Sequence, residues 1–213
     1  AVLGESFDLP ALIAGSDTDL ATTLAAVDSA EGVGVIRAVP GSDGEFCFVH
    51  ALTREAVIAR MTASRLRVMH ARAADALAGR ADPSVVPRLA NHYLLAHVLG
   101  YHEQALRYAR DAARIAEHSL AYEDAANWYG RATSLPELNV ADRARLILDA
   151  AANHVRAGDF DRARALYESL SAVDDPLIRL EAACGYENAN WRPGLAHSKA
   201  ADLLAAALEA CGL

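Results

Sequence analysis

The chain has 213 residues and a net charge of -8, and 53% of its residues are hydrophobic although only 6% are aromatic, most of the difference being alanine. Alanine is the best helix former and carries little bulk, so the composition excludes an all-β sandwich and a disordered tail and points to closely packed helices. No stretch reaches the roughly 20 apolar residues that span a membrane, and the acidic balance argues against a protein that lives on nucleic acid.

The first third changes period twice. Residues 7–14 and 17–30 read as two helices. Asp17 is placed to cap the second, and Leu20, Leu24 and Val27 share one of its faces. A β-branched run from Val33 to Val39, the turn Pro40-Gly41-Ser42-Asp43-Gly44 and the run Glu45–Val49 predict a β-hairpin. Helices follow at 51–61 and 64–78, with Thr62 or Ser64 as the cap of the latter. Two helices, a hairpin and two helices within about 80 residues are compatible with a winged-helix-like domain.

The segment Gly79-Arg80-Ala81-Asp82-Pro83 breaks the pattern and sets the expected boundary, with domains at 1–82 and 83–213. Beyond it the expectation is helix only, at about 84–98, 101–118, 121–134, 140–157, 160–172, 176–189 and 196–211. The short breaks between them imply antiparallel neighbours. Three segments echo one another: Tyr101–Tyr108, Tyr122–Tyr129 and Phe160–Tyr167 each place an aromatic residue seven positions before a tyrosine, with alanine between. Small residues let helices approach and the aromatics fill the remaining gap, as in a helical-hairpin repeat array. The spacings are unequal, and 140–173 best fits one tetratricopeptide-like hairpin of 34 residues. The fold expectation is therefore mainly α, a small winged-helix-like domain with one β-hairpin followed by a tetratricopeptide-like array of antiparallel helical hairpins.

The chemistry-bearing patterns are sparse. Cys47, Cys184 and Cys211 are odd in number and scattered, which disfavours a disulfide framework or a zinc site and favours three small buried hydrophobes. Eight histidines include His92 and His97 at i, i+5 and His97 and His102 across Gly100, but no HExxH pair, so no metal site is expected. Neither a GxSxG elbow nor a phosphate-binding loop occurs, and no catalytic residue is expected. The densest basic stretch is Arg54, Arg60, Arg65, Arg67 and Arg72 with His70. Residues 1–82 nevertheless hold seven basic against eleven acidic side chains, a net of -4, which makes DNA binding by this piece unexpected. The chain opens Ala1-Val2-Leu3-Gly4, with no initiator methionine and no secretion signal, so it reads as a cytoplasmic piece of a longer protein.

Phe46-Cys47-Phe48-Val49-His50-Ala51-Leu52-Thr53-Arg54-Glu55-Ala56-Val57 resembles the segment that follows the ATPase core in bacterial STAND-type regulators, large signalling ATPases often of the LuxR type or fused to a nucleotide cyclase. Val2–Asp8 is similar to the start of that family's winged-helix domain. Residues 89–96, 119–132 and 185–194 are similar to its later helical elements. The resemblance implies a winged helix that packs on the ATPase domain of the same chain, with ATP or ADP as the parent's cofactor and none held by this piece. It implies that His50, at a strand-to-helix junction, touches the β-phosphate of bound ADP. Ala51 replaces the acidic neighbour of the family motif. A helix start favours an anion and imidazole adds a donor; the plain alternative is a histidine that caps the helix. Arg54 and Glu55 are the expected contacts to the ATPase core, and Trp128 and Trp191 mark a partner surface for a protein or small effector. The implied function is a non-catalytic regulatory or sensor region; the competing reading is a DNA-binding winged helix with a helical oligomerisation domain.

Overall fold

The computed structural model describes residues 1–79, 82–194 and 197–212. Arg80 and Ala81 of the expected boundary, Leu195 and Ala196 before the last helix, and Leu213 lie outside the described residues. The chain divides into two compact units, Ala1–Ala105 and Leu106–Leu213. The break at Gly79–Pro83 falls inside the first unit because the helix after it packs back on the helix before it.

The first unit opens with a strand that the sequence reading assigns to helix. Strand β1 (Ser6–Asp8) pairs antiparallel with β3 (Glu45–Phe48), which also pairs antiparallel with β2 (Ile36–Ala38). The predicted hairpin is thus two-thirds of a three-stranded sheet of order β1-β3-β2. Phe7 on β1 is buried and lies 6.0 Å from Phe46 and 6.1 Å from Phe48, ring centre to ring centre, so the aromatic face of β3 is what holds β1. Between β1 and β2 lie α1 (Leu9–Gly15) and α2 (Leu20–Gly32). Asp8 caps α1 with Oδ1 2.7 Å from the Ala11 amide. Asp19, and not Asp17, caps α2: its Oδ1 accepts from the Thr22 amide at 2.9 Å. Asp17 pairs with Arg72 at 2.6 Å instead. Strand-helix-helix-hairpin with a central third strand is a winged-helix-like order. On α2 only Val27 of the predicted apolar face is buried; Leu20 is 54% exposed and Leu24 is also exposed.

After the sheet come α3 (Ala51–Ala59) and α4 (Ala63–Ala78), the latter capped by Thr62 Oγ1 at 3.3 Å from the Arg65 amide. Helix α4 buries His70, Ala71, Ala73, Ala74 and Leu77. It packs on both α1 and α5 (Val86–Ala96), the latter flanked by 3₁₀ turns at Pro83–Val85 and His97–Leu99.

The rest of the chain is helical: α6 (His102–His118), α7 (Tyr122–Thr133), α8 (Val140–Ala157), α9 (Phe160–Ser169), α10 (Pro176–Trp191) and α11 (Ser198–Ala210). Helices α7, α9 and α11 start at residues 122, 160 and 198, two equal steps of 38, and α6 and α8 start 38 apart as well. The turns repeat with them. Leu120 and Gly158, also 38 apart, both take the left-handed conformation, at φ 58° and 83°. In each turn the next amide reaches back to a carbonyl five residues earlier, Ala121 to Ala116 at 2.8 Å and Asp159 to His154 at 2.9 Å. The residues that open the second helix of each pair match in backbone angles, φ -85°, ψ 66° at Ala121 and φ -86°, ψ 71° at Asp159. The structural period is therefore longer than the 34 residues of a tetratricopeptide unit. It also explains the unequal spacing of the echoes. Tyr122 and Phe160 open second helices of their pairs, whereas Tyr101 precedes a first helix.

The core of the second unit joins Ala144, Leu148, Ala151 and Val155 of α8, Ala163, Tyr167 and Leu170 of α9, and Ile178, Ala182, Tyr186 and Ala189 of α10. The spacing of three and four within each helix puts the set on one face. Asn153, 1% exposed, is the polar exception. Its Nδ2 donates to Glu117 Oε1 at 2.6 Å and to the Asp149 carbonyl at 2.9 Å, which ties α6 to α8. The cysteines are not the buried hydrophobes expected: Cys184 is exposed and Cys47 and Cys211 are half-buried.

Candidate functional site

Strand β3 runs directly into α3, and His50 stands at the join. Its backbone is extended, φ -136° and ψ 132°, and its carbonyl accepts from the Thr53 amide at 3.0 Å, so it occupies the N-cap position. Its side chain makes no capping hydrogen bond and is exposed, so the imidazole does not serve as the cap that the plain alternative required. One turn on, Arg54 donates from Nε to the Ala1 carbonyl at 2.9 Å and is half-buried, while Glu55 is exposed. Helix α3 has no buried residue at all, and it presents Leu52, 76% exposed, beside the exposed Val49 and Val57.

Behind this region sits a pair that neither charge runs nor motif spacing brought together. His70 of α4 and His92 of α5 are both buried, with their Nδ1 atoms 2.8 Å apart and ring centres 5.1 Å apart. At that distance one nitrogen carries the hydrogen and the other accepts it, which requires both rings neutral. Burial lowers the pKa of His92 to about 4, with further lowering from His70 and then from Arg88. Burial, then Arg54, also lowers that of His70. Arg88 itself is anchored by an Nη2 donation to the Leu3 carbonyl at 2.9 Å. The two arginines thus tie the amino-terminal segment to α3 and α5 while holding the histidine pair neutral. A cavity of about 620 Å³ opens next to that segment, lined by Val2, Leu3, Leu12, Met69, Arg65 and the Asp17–Arg72 pair among others.

In the second unit, Trp128 is half-buried on α7, and the Arg131 guanidinium stacks 4.6 Å from its ring centre. Trp191 ends α10 and is 67% exposed. Among the described residues no three His, Cys, Asp or Glu side chains form a group that could hold a metal, and no helix is long and apolar enough to cross a membrane.

No protein-family model, no curated protein and no solved structure matches the chain.

Proposed function

We propose that the chain is a non-catalytic regulatory region of a larger signalling ATPase of the STAND type, with α3 as the face that docks on the ATPase domain and the helical hairpins as the part that receives a protein or small effector. The observation that carries this reading is α3 itself. A nine-residue helix with no buried position is not sustained by its own packing, since short isolated helices are marginal in water. Its exposed Val49, Leu52 and Val57 are the surface that an adjoining domain would cover. His50 stands exposed at the start of that helix, where amide groups favour an anion, so an ADP phosphate held by the ATPase domain would meet it there. An effector on the hairpins acts by binding one arrangement of domains better than the other.

The competing reading, a DNA-binding winged helix, requires basic side chains on the second helix of the helix-turn-helix, which enters the major groove. Helix α2 holds Asp28 and Glu31, is capped by Asp19 and has no lysine or arginine. The wing turn Pro40–Gly44 adds Asp43 and no base.

In a chain that includes the ATPase core, His50→Ala is expected to weaken ADP binding by about tenfold or more, the loss of one hydrogen bond to a charged phosphate. The exposure of His50 predicts unchanged thermal unfolding in that variant. Equilibrium titration with a fluorescent ADP analogue checks this. Unchanged ADP affinity counts against the phosphate contact, and saturable, salt-sensitive binding of duplex DNA by residues 1–213 favours the competing reading.

A further inference from the structure

The second unit holds a cationic pocket in an acidic protein. Its floor is one face of α8, where Ile147, Ala150 and His154 fall at i, i+3 and i+7. One wall is α7, with Asn127 and Arg131 one turn apart; the other is α9, with Arg162 and Leu166 one turn apart. The cavity measures about 370 Å³, within the range of small-molecule sites. The charge of its lining is opposite to that of the chain. Arg131, Arg162 and His154 line it with the Asn127 amide, and no acidic side chain does, although the protein carries a net charge of -8.

His154 supplies an independent sign of a missing partner. The side chain is nine-tenths buried, yet its Nδ1 has no hydrogen bond. A buried polar atom without a partner costs free energy of about 1–3 kcal/mol unless something occupies it. The acid outside the lining, Asp159, is committed elsewhere. One oxygen caps α9 at 3.2 Å from the Arg162 amide, and the other lies 3.6 Å from Arg162 Nε and 3.7 Å from His154 Nδ1, too far to bond the imidazole. Arg131 is held at the opposite wall by its stack on Trp128.

We propose that this pocket binds a small organic acid, its carboxylate set between Arg131 and Arg162 and in reach of His154 Nδ1, and its short aliphatic body against Ile147, Ala150 and Leu166. The two cations fix the charge of the ligand, the apolar floor fixes its body, and the cavity volume fixes its size. The inference deepens the proposed reading by naming the class of effector that the hairpins receive. It stands on the second unit alone, so its failure leaves the docking of α3 untouched.

N-acetyl-leucine is the probe, with N-acetyl-leucinamide as its uncharged partner and a hexapeptide ending in leucine as the alternative source of the same carboxylate. Heteronuclear NMR of the whole chain is expected to show saturable shifts of the Asn127 and Gly130 amides and of the His154 imidazole nitrogen. The acid is expected to bind with a Kd of about 1 mM or tighter, and the amide at least about tenfold more weakly. Arg131→Gln and Arg162→Gln each lower the affinity by about tenfold or more; Arg107→Gln, on α6, does not. Equal binding of acid and amide, shifts confined to residues outside the pocket, or binding by the hexapeptide alone overturns the proposal. The acid-against-amide comparison needs no variant, so it holds even where a substitution disturbs folding.

Discussion

Gly185→Ala is expected to destabilise the second unit by about 2 kcal/mol or more, although alanine in place of glycine inside a helix ordinarily gains about 0.5–1 kcal/mol. Gly185 lies in the middle of α10, and a Cβ added there would stand 2.3 Å from Tyr167 Cζ and 2.4 Å from Cε1. Tyr167 is buried in the core of α8, α9 and α10, so its ring has no open direction in which to retreat. The comparison is Gly130→Ala on α7, where an added Cβ meets nothing within 4 Å and the ordinary gain is expected. Both tryptophans of the chain lie in the second unit, so urea unfolding followed by their fluorescence reads this unit directly. A Gly185→Ala protein as stable as the parent would mean that α9 and α10 do not approach as closely as described.

The second large effect is loss of the first unit in mild acid. His92 has its pKa lowered from 6.5 to about 4 by burial, then His70, then Arg88. Its unfolded form therefore binds a proton that the folded form refuses between those two values. The neutral pair contributes its full stability above pH 6.5, and that contribution falls as pH drops from 6.5 toward 4. Two and a half pH units correspond to on the order of 3 kcal/mol, and the lowering at His70 acts in the same direction. The groups around the pair are Arg54 from α3 and Arg88 from α5, both cationic, so neither rescues a protonated ring. Hydrogen exchange of the α4 amides from pH 7.5 to 4.5 is expected to accelerate steeply below 6.5. His92→Asn, which retains a hydrogen-bonding group near the position of Nδ1 but does not titrate, is expected to flatten the slope. An equally steep slope in that variant would assign the acid response to another group.

Most helices were legible because alanine-rich runs with breaks at glycine, proline and aspartate define their lengths whatever they pack against. The strand β1 was not, because three residues cannot display alternation and the partner β3 lies some forty residues on. Its length exposes nothing to period analysis; only the fit of Phe7 between Phe46 and Phe48 assigns it. On α2 the apolar spacing is real, yet Leu20 and Leu24 face outward, since spacing reports a face and not what covers it. The pairing of small residues with aromatic ones at hairpin interfaces was legible, and Gly185 against Tyr167 is its tightest instance. The 38-residue period was hidden because the strongest motif, Tyr101–Tyr108, sits on the other helix of the pair. The site candidates divide in the same way. His50, Arg54 and Glu55 are contiguous in sequence and were found on one junction; His70 with His92, and Arg131 with His154 and Arg162, are joined only by the packing of separate helices.

The central claim is that α3 is a docking face, and hydrogen exchange of its amides tests that claim most directly. The comparison is between residues 1–213 alone and the same residues within the longer ATPase that the reading requires. The amides of α3, from Ala51 to Ala59, are expected to exchange about tenfold or more slowly in the longer chain, because a covering domain raises the free energy of local opening. The amides of α9 and α10 are expected to be unchanged. Exchange at α3 that is equally fast in both chains would contradict the account.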